Sequence, residues 1–201
     1  MLPNVNEITP RDEAIIAHLI ELGVLVEINT GRLDQDKGSI VLICSDPLRF
    51  PQIFLKHIEM QNGRFDMPFL FTLAMPGGAL LLAPESKLLD VGSTLDHDLI
   101  KRIQMGVNEF DMATIALGVH VPCLGAHHAH MDAFAVTTGL FDAKQRVKTI
   151  FNARRKVAAF FQVHYSSGKM TYYFAKLLAW QAAYPTLAAR WGAPSRVTAA
   201  F

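Results

Sequence analysis

Apolar positions along this chain follow two rhythms, one of helices and one of buried strands. Between residues 10 and 22, Ile15, Ile16, Leu19, Ile20 and Leu22 recur at helical spacing. Thr9 is placed to cap that helix, Pro10 fits its first position, and Asp12 and Glu13 suit its positive end. Gly23 marks its close. Residues 39–44 read Ser-Ile-Val-Leu-Ile-Cys, a continuous apolar run between Gly38 and the polar Ser45 and Asp46. Such a run is the habit of a strand buried on both faces, as in parallel sheets. A helix through Ile53, Phe54, His57 and Ile58 follows, then a second strand at 68–74. Leu99, Ile100, Ile103 and Val107 share one face of a helix over 95–110, and 112–117 extends or restarts it. Residues 118–124 form the next strand, with Pro122 arguing against a central position. A helix over 144–159 leads to a strand at 160–165, a turn eased by Gly168, and a strand at 170–174. The tail at 175–191 is apolar, Ala-rich and helical.

Strands alternating with helices predict an α/β fold, with a central, mostly parallel sheet flanked by helices and a late antiparallel edge strand. No linker, repeat or low-complexity stretch divides residues 1–201. The expectation is a single domain, with an N-terminal helical arm at 9–23 and a C-terminal helical tail at 175–191. A chain of 201 residues buries a core without needing a disulfide or metal to fold.

Charge narrows the list of partners. Lys and Arg number 19 against 18 Asp and Glu, so the net charge of +1 makes no case for nucleic acid or an anionic membrane. The basic stretch 144–156, with Lys144, Arg146, Lys148, Arg154 and Arg155, reads as a solvated helix face. Cys44 and Cys123 are too few for a disulfide framework. The first residues lack a signal layout, and no apolar run reaches the roughly 18 residues that span a bilayer. These features predict a cytoplasmic protein with reduced thiols. A hydrophobic content of 51% suits a chain that also buries surface in an oligomer.

In α/β sheets, ligands bind beyond the carboxyl ends of strands. Two places qualify: residues 44–46, and residues 125–131, which read Gly-Ala-His-His-Ala-His-Met. In a helical turn, His127 and His130 fall on one side and can share a metal ion, while His128 points away as a second choice. The same cluster also fits a solvated polar helix start, and Cys44 also fits a small buried hydrophobe. His120 and His164 lie on strands, as ordinary core histidines or proton shuttles. His18, His57 and His97 fit surface or core positions. Cys123 falls inside a strand and is expected to be buried and not a ligand.

These motifs resemble the β-class carbonic anhydrases. Cys44, Ser45 and Asp46 resemble the start of that family's Cys-x-Asp-x-Arg motif. Residues 117–130, Leu-Gly-Val-His-Val-Pro-Cys-Leu-Gly-Ala-His-His-Ala-His, are similar to the strand that leads into its Gly-His-x-x-Cys-Gly motif. Aligned without a gap, His127 falls at the zinc histidine and His130 at the second zinc cysteine. Residues 163–170 are similar to a late strand and its Thr-Gly-Lys-type turn. The resemblance implies a zinc site of Cys44, His127 and His130, with water or Asp46 in the fourth position. It further implies a metal-bound hydroxide attacking carbon dioxide, with bicarbonate leaving.

Four positions depart from the family pattern. His130 replaces a thiolate. The family's Arg falls at Leu48, and Arg49 is one residue late. Residues 72–78, Thr-Leu-Ala-Met-Pro-Gly-Gly, stand where an Arg-Asn-Ala-Gly-like stretch is usual, and Met131 replaces a Gly. Three functions follow as expectations: a zinc lyase hydrating carbon dioxide, a metal protein acting on another small electrophile, or a degenerate relative that binds metal or partners without hydratase activity.

Overall fold

The computed structural model describes residues 7–28, 38–61, 70–151 and 155–192. The first helix, α1 (Pro10–Glu21), begins as its sequence predicts. The Thr9 side chain accepts the Asp12 amide, and Pro10 stands in the first turn. Ile15, Ile16 and Leu19 of its stripe are buried, whereas Ile20 is exposed. A strand that no apolar run announces, β1 (Leu25–Glu27), follows, with only Leu25 buried. β2 (Ser39–Ile43) is buried at every position. Then come α2 (Phe50–Gln61) and β3 (Leu70–Ala74). Positions 68 and 69 of the predicted strand, and the side chain of His57, lie outside the described residues. A buried 3-10 turn (Gly78–Leu82) leads to α3 (Leu95–Asn108).

The second half departs from expectation at three boundaries. β4 (Thr114–Val121) takes residues expected to extend α3. The run at 114–117 has no helical period, and parallel pairing with β2 on one side and the next strand on the other decides its state. Pro122 lies just past the end of β4, so its missing N–H takes nothing from the ladder and the strand sits centrally. After the short α4 (Leu124–His128), α5 (Ala133–Ile150) starts well before residue 144. Asp132 caps it, accepting the Ala135 amide at 2.9 Å. Most of its first ten residues are buried, so they present no polar face and no amphipathic rhythm. β5 (Lys156–His164) begins in residues expected to end that helix, and β6 (Met170–Ala175) and α6 (Leu177–Trp191) complete the chain.

The sheet order is β1-β6-β5-β4-β2-β3. β3, β2, β4 and β5 run parallel. β6 is antiparallel to β5 as expected, and β1 pairs antiparallel on its outer side, so the edge beyond β6 belongs to β1. One face of the sheet packs on α1, α3, α5 and α6 in a large core. Within it Phe141 stacks on Trp180 at 5.0 Å between ring centroids. The other face carries Val41, Ile43, Ala116 and Phe160 beneath Phe50 and Ile53 of α2. The basic stretch is not wholly solvated: Arg146 Nη2 lies 2.7 Å from Asp96 Oδ2, and Lys144 is half-buried. Arg154 lies outside the described residues. No described helix is long and apolar enough to cross a membrane.

One glycine locks the 3-10 turn against the sheet. Gly78 has φ +55°, and a Cβ there would stand 2.5 Å from the Cys44 amide nitrogen and 2.8 Å from the Ile43 carbonyl carbon. Gly168 also has positive φ, but nothing surrounds the place of its Cβ within 4 Å. In urea unfolding, Gly168→Ala should therefore cost only the backbone term of about 1 kcal/mol. Gly78→Ala should cost at least about 2 kcal/mol, because the clash with rigid backbone adds to it. Equal losses would show that the close approach at Gly78 carries no weight.

Candidate metal centre

β2 and β4 are parallel neighbours, so their carboxyl ends open at the same edge. Cys44 follows β2 directly. Its position is held by a short ladder: the Met75 amide donates to the Ile43 carbonyl and the Ser45 amide to the Met75 carbonyl, each at 3.1 Å. The chain then turns through Gly77, at φ +88°, whose amide donates to Cys44 Sγ at 3.3 Å. His120 is the penultimate residue of β4, and Cys123 follows Pro122 at the entry to α4. All three residues are buried, and the Cys44, His120 and Cys123 ligand atoms lie within 4.8 Å of one another. The set straddles the end of the sheet. Cys44 and Cys123 join the large core, while His120 shares the opposite face with Ala116 through the two-residue strand period.

The electrostatics of the pair of thiols are asymmetric. The neighbouring Cys123 thiol, and after it the His120 ring, hold Cys44 down to about 4 against the opposing effect of burial. Cys123 shifts the other way, raised first by Cys44 and then by burial. One proton therefore resides on Cys123, and Cys44 is the thiolate. His120 is oriented for ligation. Its Nδ1 lies 2.7 Å from the Pro122 carbonyl oxygen, which only accepts, so Nδ1 carries the hydrogen. In the neutral ring Nε2 is then the acceptor, and it is buried without a hydrogen-bond partner among the described residues. A backbone carbonyl that fixes the tautomer of an imidazole is the usual support of a metal-ligating histidine. A buried orphan nitrogen beside a thiolate fits a soft cation, and two sulfurs with one imidazole is a donor set that zinc takes in sites with an open fourth position.

Of the residues singled out by sequence, Cys44 belongs to this cluster, whereas His127 and His130 are exposed and do not. α4 ends at His128, and His130 lies beyond it with φ +54°, so the helical spacing assumed for the two rings does not hold. His127 stands near His128 instead, at 5.9 Å between ring centroids. Asp46 is half-buried, and its Oδ1 accepts the Leu48 amide at 2.9 Å. Arg49 is buried, with Nη1 2.7 Å from His164 Nδ1, and His164 Nε2 lies 3.2 Å from Gln52 Oε1. Burial, and after it the Arg49 charge, depress the His164 pKa. Cys123 is buried as expected, but it stands among the possible ligands, as does His120. The signal was present: His120 and Cys123 have the His-x-x-Cys spacing, seven residues before the His-x-x-His stretch onto which the gapless alignment fell.

No family model and no curated protein matches the chain. Among solved structures, β-carbonic anhydrase isoform I from the protozoan Trichomonas vaginalis aligns with 82% of this chain and 96% of that chain, at a TM-score of 0.38 and 10% identity.

The thiol asymmetry is measurable in metal-free protein. Ultraviolet thiolate absorbance at neutral pH should correspond to one cysteine per chain and vanish in Cys44→Ser. Because folding lowers the Cys44 value from 9.0, its contribution to stability is full above that pH and is lost as pH falls through about 4. The absorbance should disappear over the same acid range. Thiolate that forms only on alkaline titration would overturn the assignment.

Proposed function

We propose that Cys44, His120 and Cys123 bind a zinc ion and that the protein is a lyase acting on carbon dioxide or a similar small electrophile. The observation that carries the reading is the bare, buried Nε2 of His120 beside the Cys44 thiolate, with Nδ1 anchored on Pro122. A zinc ion held there would lower the pKa of a water and supply a hydroxide nucleophile near neutral pH. The chain's own groups do the rest. The Cys123 thiol and the Gly77 amide, which donates to the sulfur, favour Cys44 in its charged form. Asp46 would control access to the metal, and here its carboxylate accepts the Leu48 amide. Arg49 keeps a fixed positive charge beside His164. The need for two reduced thiols suits a cytoplasmic setting, and a homo-oligomer belongs to the same reading.

A second reading, a metal-binding relative without hydratase activity, is favoured by one observation. Arg49 Nη1 is placed on His164, whereas the family motif sets its Arg one residue earlier, at the position of Leu48. Stopped-flow hydration by zinc-loaded protein separates the two readings. A rate above buffer supports the lyase, and none between neutral and alkaline pH supports the relative.

Metal content tests the site itself. Protein purified without chelators should carry about one zinc per chain. Cys44→Ala and His120→Ala should lose it, whereas the double variant His127→Ala/His130→Ala should retain it. Zinc that disappears only from the double variant would move the site to the exposed histidines. Wild-type protein that stays empty when zinc is offered would end both readings.

A further inference from the structure

Two buried polar side-chain atoms without a partner stand on neighbouring positions of one sheet face. His120 and Gln162 are register partners on the parallel strands β4 and β5. Gln162 and Tyr172 are partners in turn on β5 and β6. The result is a polar row, His120–Gln162–Tyr172, crossing three strands beside the apolar residues Ala116 and Phe160 of the same face. Gln162 is fully buried. Its Nε2 donates to the Tyr172 hydroxyl at 3.1 Å and lies 2.9 Å from Met170 Sδ. The sulfur contact orients the amide, because a thioether only accepts, and so places the nitrogen on the β6 side. Its Oε1 has no hydrogen-bond partner among the described residues, like His120 Nε2 on the next strand. An unmet buried carbonyl oxygen costs about 1–3 kcal/mol, so it is retained where something else satisfies it.

We infer that Gln162 is a binding residue of the metal centre, its Oε1 accepting a hydrogen bond from the O–H of an oxygen ligand held beside His120. The inference rests on the metal reading above and adds selectivity to it. A carboxamide oxygen can only accept. It therefore favours ligands that bring a hydrogen, such as water or the protonated oxygen of bicarbonate, over anions of similar charge that bring none, such as thiocyanate. A buried acceptor left unmet is the strongest way for a site to reject the wrong ligand. Tyr172 acts at one remove, as the residue that positions the amide.

The test uses the full chain loaded with cobalt(II), whose visible spectrum reports both the metal and ligands reaching it. Gln162→Met keeps the length of the side chain and removes the acceptor. The expected result is unchanged metal content, bicarbonate binding weakened about tenfold, as for one lost hydrogen bond, and thiocyanate binding within about twofold of wild type. Tyr172→Phe keeps the Gln162 acceptor and should preserve most of the preference for bicarbonate. If both anions weaken equally in Gln162→Met, or neither changes, Gln162 is structural and the inference is overturned while the metal site stands. If Gln162→Met loses its metal, Gln162→Leu decides in the same assay: loss of metal there too, or an unchanged bicarbonate-to-thiocyanate ratio, marks the row as structural and overturns the inference, whereas a loaded protein with a lowered ratio supports it. Wild-type protein that takes up no cobalt at all overturns the metal reading and this inference with it.

Discussion

The parallel pairing of β2 with β4 is the constraint on which the site depends. It runs from Ser39↔Thr114 to Leu42↔Leu117 and delivers the carboxyl ends of both strands to one edge. Cys44 and the His120–Cys123 pair are about eighty residues apart in sequence and meet only through this register. A slip of one residue would turn His120 to the opposite face and bury Gln162 against a different neighbour. Both strands are buried at every position, so hydrophobic burial on two faces enforces the register. The glycines of the adjoining turn complete the arrangement. Gly78 approaches the Cys44 amide more closely than any side chain permits, and Gly77 then presents its N–H to the sulfur.

Much of this was legible in the residues. The uninterrupted run at 39–43 could be nothing but a buried strand or a very short buried helix, and the flanking Gly38 and Asp46 favoured the strand. Thr9, Pro10 and Asp12 announced α1 through capping chemistry that needs no tertiary context. The failures share one physical cause: where a segment is buried on all sides, periodicity disappears. The start of α5 has no polar face to show it is helical, and residues 114–117 carry the same composition in a strand that they could carry in a helix. β1 was invisible for the opposite reason, since three residues with one buried position carry no pattern at all.

Of the candidate cluster, the sequence showed Cys44 and left His120 and Cys123 unmarked. Cys44 was found because it ends a readable strand. The histidine cluster at 127–130 drew attention by density, but density of histidine marks exposure as readily as ligation. What distinguishes a ligand is a satisfied second nitrogen and a desolvated first one, and neither is a property of spacing. His120 has both, through Pro122 and burial, and both arise from how β4 ends. The residue type beside it mattered more than the count: a lone thiol three positions on, at Cys123, completes a set that softer metals prefer over water.

Leu48 and Arg49 show how one residue decides burial at the start of a helix. Positions 48 and 49 stand at the approach to α2, where one residue turns a side chain by about 100° around the helix axis. Leu48 consequently faces solvent, while Arg49 is buried with its guanidinium on His164. The positive charge remains at the sheet edge and acts through a different neighbour. With burial as the larger cause, it disfavours a second charge on His164. Beside the Cys44 thiolate and the Asp46 carboxylate, Arg49 then stands as a cation that no proton transfer can remove. A charge of this kind is held by buried partners and not by solvent, which is how the end of an apolar sheet can carry a fixed cation.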